Sequence, residues 1–201
     1  MTKKELEHFY IGNSYGGNQG WFRSFMMRLG GCGAETACES SLYFAIHMGI
    51  GQAYPFDCRN LSKQNYVRFA HMMEQYLWPR MSGIDRLEIY TEGYGRYLAD
   101  RGISSIAMST LDGNEPYESA AMAVRQQIDA GFPVPILILN HKNRSFSDYN
   151  WHWFLINGYD DRGDSFLVKA VTYSAYEWLD LAQLWDTGYA RRGGLILYSL
   201  K

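Results

Sequence analysis

Cys32 lies in the run Gly30-Gly31-Cys32-Gly33, directly ahead of a stretch with helical spacing. The first backbone N–H groups of a helix have no partner inside it, and the positive end of its dipole lies there, so a cysteine at this position is expected to favour thiolate over thiol. Small neighbours leave the sulfur approachable, and a thiolate that admits a substrate backbone is what acyl transfer needs. His152 lies in Trp151-His152-Trp153-Phe154-Leu155-Ile156-Asn157-Gly158-Tyr159, which reads as a strand ending in a turn-forming Asn-Gly pair. A neutral imidazole held on such a rigid element can take a thiol proton and return it to a leaving amine. Each residue also has a plain reading: a small cysteine buried in a tight turn, and a satisfied histidine in an aromatic strand.

Other reactive types draw less weight. Cys38 falls on the buried stripe of the helix that follows Cys32, and Cys58 sits in a loop beside Asp57, where a carboxylate disfavours the thiolate. Three cysteines without metal-ligand spacing are expected to be free thiols of a reducing compartment. His8, His47, His71 and His141 lack the paired spacing of a zinc site, and there is neither a phosphate-cradling Gly-Lys-Ser/Thr loop nor a Gly-x-Ser-x-Gly elbow. No metal or cofactor is expected. Most of the aromatic residues are expected in the core, with Trp151, Trp153 and Tyr15 near a cleft.

The elements that must position the pair follow from periodicity. Ala34, Ala37, Cys38, Ser41, Leu42, Ala45 and Ile46 mark the inward face of one helix. Ser62 caps a second, with Tyr66, Phe69, Ala70, Met73 and Leu77 inward and Pro79 as its stop. A third is expected from Glu92 to Asp100 with Thr91 as cap and Gly102 as stop, followed by a strand from Ile103 to Met108. Asn114 and Pro116 open a fourth, with Tyr117, Ala120, Ala121, Val124 and Ile128 inward and Gly131 as its left-handed stop. Strands are expected over Val134 to Leu139, Trp151 to Tyr159, Ser165 to Tyr173 and Leu195 to Leu200, with a short helix over Leu179 to Trp185. The turn Asp160-Asp161-Arg162-Gly163 makes a hairpin of the second and third strands, and Gly12 to Gly20 reads as a polar loop. Helices first and an antiparallel sheet afterwards give an α+β class, one domain over 1–201, in which a helix-borne nucleophile faces a sheet-borne base across a cleft.

With 47% hydrophobic and 20% charged residues the 201-residue chain has the balance of a folded globular protein. A net charge of −2 offers no long-range attraction to nucleic acid or anionic membrane. The start Met-Thr-Lys-Lys-Glu-Leu-Glu opens neither a signal peptide nor a membrane span, so a cytoplasmic protein is expected.

Three stretches resemble the papain-like cysteine peptidases, most closely the bacterial branch of double-glycine-leader peptidases. They are Gln19-Gly20-Trp21-Phe22, Gly31-Cys32-Gly33-Ala34 with its helix, and Pro135-Ile136-Leu137-Ile138 followed by His152 and Gly158-Tyr159-Asp160. The resemblance implies a papain-like fold, with Cys32 as nucleophile, His152 as general base and acid, and Gln19 as an oxyanion-hole donor beside the Cys32 N–H. Gln19 stands farther from the cysteine than is usual in the family, so Arg23 to Leu29 would have to bulge away. The family normally places Asn or Asp on the strand after the histidine; here that stretch reads Val168-Lys169-Ala170-Val171-Thr172-Tyr173, and Thr172 is the only short polar residue near the position. The expected function is a cysteine peptidase or related amide hydrolase on a peptide or small amide. The alternatives are a papain-like binding protein without catalysis, and an acyltransferase using the same thiol.

Overall fold

A computed structural model describes residues 1–80 and 83–201. Strand β1 (Thr2–Glu5) and the small hairpin β2 (Tyr10–Ile11) and β3 (Ser14–Tyr15) come first, then helices α1 (Phe25–Gly30), α2 (Cys32–His47), α3 (Lys63–Glu74) and α4 (Leu87–Asp100). The remainder is β4 (Ile106–Asp112), α5 (Tyr117–Asp129), β5 (Val134–Ile138), β6 (His152–Asp161), β7 (Phe166–Thr172), β8 (Ala175–Asp180), α6 (Leu181–Trp185) and β9 (Gly194–Leu200). The main sheet runs β4-β9-β5-β6-β7-β8 and every pairing in it is antiparallel; β1 also joins β6, at Gly158–Asp161. This is the expected α+β arrangement, several helices packed on an antiparallel sheet. Among the described residues no helix is long and apolar enough to cross a membrane.

Helix α2 is buried from Cys32 to Ala45 on every side, with β6 and α3 against it. The one inward face read from the sequence is therefore too narrow. Small residues at Gly33, Ala34, Ala37, Ser40 and Ser41 let neighbours approach all round: a Cβ on Gly33 would come within 3.0 Å of Ile84 and 3.4 Å of Trp153. Cys32 is the first residue of this helix rather than a residue ahead of it.

Several boundaries move for local reasons. Helix α3 is capped by Ser62 as expected, its side chain accepting from the Asn65 N–H, but it ends at Glu74 rather than near Pro79. The N–H groups of Tyr76 and Leu77 both turn back to the Met73 carbonyl, and Leu77 enters the core against Gly93. Helix α4 begins at Leu87, five residues before the expected start, with no side-chain cap; Thr91 is an interior residue whose hydroxyl donates to the Glu88 carbonyl. The strand expected over Ile103 to Met108 is Ile106–Asp112. Residues 175–180 form a strand, and α6 starts only at Leu181, capped by Asp180.

The N-terminal segment is more ordered than its composition suggested. β1 extends the sheet, and β2–β3 occupies part of the expected loop. The Asn157-Gly158 pair does not end β6. The strand continues through it with a register shift between Ile156 and Tyr159, and a Cβ on Gly158 would lie 3.0 Å from the Lys4 carbonyl oxygen, so β1 needs glycine there.

Candidate functional site

The top of β6 and the start of α2 meet. The Cys32 thiol lies 3.9 Å from the Trp151 carbonyl oxygen, and the Trp153 N–H donates to the sulfur. Cys32 is thus held against the main chain on both sides of His152, 119 to 121 positions away in sequence. Among the described residues no hydrogen bond joins the sulfur to the imidazole. His152 Nε2 lies 2.7 Å from Thr172 Oγ1, the position where sequence offered only a hydroxyl. Nδ1 has no hydrogen-bond partner among the described residues.

A strained hairpin orients the imidazole. Thr172 pairs with Ala175 across a two-residue turn, Tyr173-Ser174, whose φ values of 52° and 64° are both left-handed. Such a turn matches the twist of a hairpin but is normally built from Asn and Gly. Here it lays the Tyr173 ring over His152, 4.8 Å between centroids and 3° from parallel. The Ser174 N–H donates to the Gly17 carbonyl, and the Tyr15 N–H donates to the Ser174 carbonyl, so the N-terminal segment fastens the turn. Trp151 is also left-handed, with φ 53°, and its indole N–H donates to Asn140 Oδ1.

Two carboxylates lie under this arrangement. Glu35 and Glu39 follow Cys32 at three and seven residues along α2 and are buried. Glu39 is well satisfied: the Gly17 N–H and the Tyr66 hydroxyl donate to Oε1, and Oε2 lies 3.0 Å from His8 Nε2. Glu35 receives the Gln19 main-chain N–H; burial, and then the Glu39 charge, push its carboxyl up to about 8. Burial also outweighs the helix start at Cys32. Desolvation, with a smaller push from Glu35, raises the Cys32 thiol to about 11, and desolvation lowers His152 to about 4. Near neutral pH Cys32 is therefore a thiol and His152 a neutral imidazole, where the helix dipole had argued for a thiolate.

Gln19 is 9% exposed, in a single 3-10 turn (Gln19–Trp21) capped by Asn18. The segment that had to bulge is helix α1, and the Gln19 Nε2 donates to the carbonyl of its Arg28 at 2.7 Å, while Oε1 is buried without a partner. One amide hydrogen is thus engaged by α1. Of the aromatic residues expected at a cleft, Trp151 is there and 43% exposed. Trp153 is core, stacked on Tyr90 and donating to the Ile84 carbonyl. Tyr15 sits beside Lys169 and Tyr176 and is bonded by Asn157. A pocket of about 530 Å³ opens at Cys32, lined by Met26, Leu29, Gly30, Gly83 and Trp151, with Arg80 as the one charged side chain among the described residues that line it.

No protein-family model matches this chain, and no curated protein matches it. The chemistry must therefore be argued from the site itself. Glu35, Glu39 and Tyr173 escaped the sequence reading. The available signal was that α2 carries small or apolar residues all round and two glutamates in register with Cys32, so wherever the cysteine is buried they are buried too.

Proposed function

We propose that the chain is a papain-like cysteine peptidase or related amide hydrolase, with Cys32 as nucleophile and His152 as general base and acid. The observation that carries this reading is the sulfur held between the Trp151 and Trp153 main-chain groups while Thr172 engages the far nitrogen of His152. With Nε2 protonated and donating to Thr172, Nδ1 keeps its lone pair and accepts the thiol proton as sulfur attacks a carbonyl carbon. The developing oxyanion is within the field of the first N–H groups of α2. His152 then donates the proton to the leaving amine, and water resolves the thioester. The apolar pocket beside Cys32 suits a bulky apolar side chain next to the scissile carbonyl, and Arg80 suits an acidic group further out.

The test is hydrolysis of a panel of fluorogenic peptide amides varied at the residue next to the scissile bond. Wild type is expected to prefer aromatic or aliphatic residues there, and Cys32→Ala and His152→Ala to lose activity by about 10³-fold or more. Either variant turning over as fast as wild type refutes the reading. Binding without catalysis is the second reading, favoured by the neutral resting pair; a peptide retained by the protein and never cleaved would select it.

A further inference from the structure

Glu35 and Thr172 lie on different elements and line one small, partly open recess of about 10 Å³, together with Gly17, Thr36 and Glu39. A space of this size holds about one water, and its walls supply the polar partners a water needs. Thr172 Oγ1 has a single proton, and its only hydrogen-bond partner among the described residues is His152 Nε2. Glu39 already has three neighbours on its two oxygens, whereas among the described residues the one partner of Glu35 is the Gln19 N–H. Glu35 is 4% exposed.

We propose that Glu35 is a positioning residue that sets the tautomer of His152, acting through one water in this recess and the hydroxyl of Thr172. The inference rests on the acyl-transfer reading for its purpose, but not for its geometry. With Glu35 ionised, the chain of donors runs from His152 Nε2–H to Thr172 Oγ, from Thr172 O–H to water, and from water to the carboxylate. Nδ1 is then bare and ready to accept the Cys32 proton. With Glu35 protonated the chain reverses: the carboxyl donates to water, water to Thr172, and Thr172 to the Nε2 lone pair, which leaves the imidazole proton on Nδ1. Passing from the second state to the first moves each chain proton one step toward Nε2 and releases the Nδ1 proton to solvent, a net loss of one proton. A buried carboxyl thus does the orienting work that an amide or carboxylate directly on the imidazole does elsewhere.

The groups facing Glu35 leave a clear window for the switch. On α2 they are Cys32, Cys38 and Glu39; α3 contributes Tyr66, the β7–β8 turn contributes Tyr173, and His8 lies beyond Glu39. His152 titrates near 4, the thiol near 11 and Tyr173 near 12, while Glu35 titrates at about 8.

The experiment is long-range ¹H–¹⁵N NMR of the His152 ring in ¹⁵N-labelled full-length protein, which reports directly which nitrogen carries the proton. Wild type is expected to pass from mainly Nδ1–H at pH 6.5 to mainly Nε2–H at pH 9.5, with a midpoint near that of Glu35. Glu35→Gln removes the titration, so the tautomer should no longer change with pH, and Thr172→Val breaks the chain with the same result. A wild-type tautomer ratio identical at the two pH values, or a titration that persists in either folded variant, overturns the proposal. Failure of every amide substrate would instead sink the hydrolase reading and leave the tautomer result standing.

Discussion

Glu35→Gln should flatten the pH dependence of stability above pH 6.5. The native carboxyl titrates at about 8, against an unfolded value of 4.5. Between those values the native state holds a proton that the unfolded chain has lost, so stability falls as pH rises, and this contribution is present in full below 4.5 and gone above 8. His152 has the opposite sign. Its native value near 4 lies below the unfolded 6.5, so the unfolded chain binds the extra proton and stability rises with pH through that interval. The two slopes oppose each other from 4.5 to 6.5, and Glu35 acts without that opposition from 6.5 to 8. At about 1.36 kcal/mol per pH unit for one proton, this interval of about 1.5 units costs wild type about 2 kcal/mol. Glu35 is almost wholly buried, so solvent screening takes little from that figure. Urea unfolding followed by tryptophan fluorescence at pH 6.5 and 8 measures the loss in each protein. Comparing the two pH values within each variant cancels any uniform effect of the substitution. If Glu35→Gln loses as much stability over this interval as wild type, the carboxyl is not holding a proton in the native state and the reasoning fails.

Alkylation by iodoacetamide at pH 8, read by peptide mass spectrometry, should modify the half-exposed Cys58 first; Cys32, with roughly one thiol in a thousand ionised, follows, and the fully buried Cys38 comes last. A Cys32 that outpaces Cys58 would show that burial does not govern the thiol. Thr172→Val leaves Nε2 buried without its partner, a loss of about 1–3 kcal/mol that should lower kcat by about 5- to 150-fold with KM little changed, once a substrate is found. An unaltered kcat would place the orienting group elsewhere. Gly193→Ala sets a Cβ against the Leu137 carbonyl where β9 starts beside β5, so Tm should fall by several degrees; a Tm equal to wild type would show that this approach relaxes freely.

The helices with one apolar face were legible in the sequence. Tyr66, Phe69, Ala70 and Met73 behind the Ser62 cap, and Ala120, Val124 and Ile128 before Gly131, carry their period and their stops locally. So were the apolar strand at Val134 and the β6–β7 hairpin, but its turn lies at 162–165 and not at Asp160–Gly163: Asp160 and Asp161 still pair with Leu167 and Phe166, and the Arg162 N–H donates to the Ser165 carbonyl. Cys32, His152 and Thr172 were legible as residue types, and the structure places Thr172 on His152 Nε2 and the Trp151 carbonyl at Cys32. Their environment was not. A helix dipole is a local property and argued for thiolate, whereas the desolvation of Cys32 comes with packing of the helix start against the Trp151 end of β6, 119 positions away, and only the tertiary structure brings these together. The same holds for Glu35: on the helix it is one polar residue three positions past the cysteine, and it becomes a buried acid lining one recess with Thr172 only when α2 packs on β6 of the sheet that carries β7. Local sequence determined which groups are present and on which element. Long-range packing decided which of them lost water, and in a buried site the loss of water is what sets the proton.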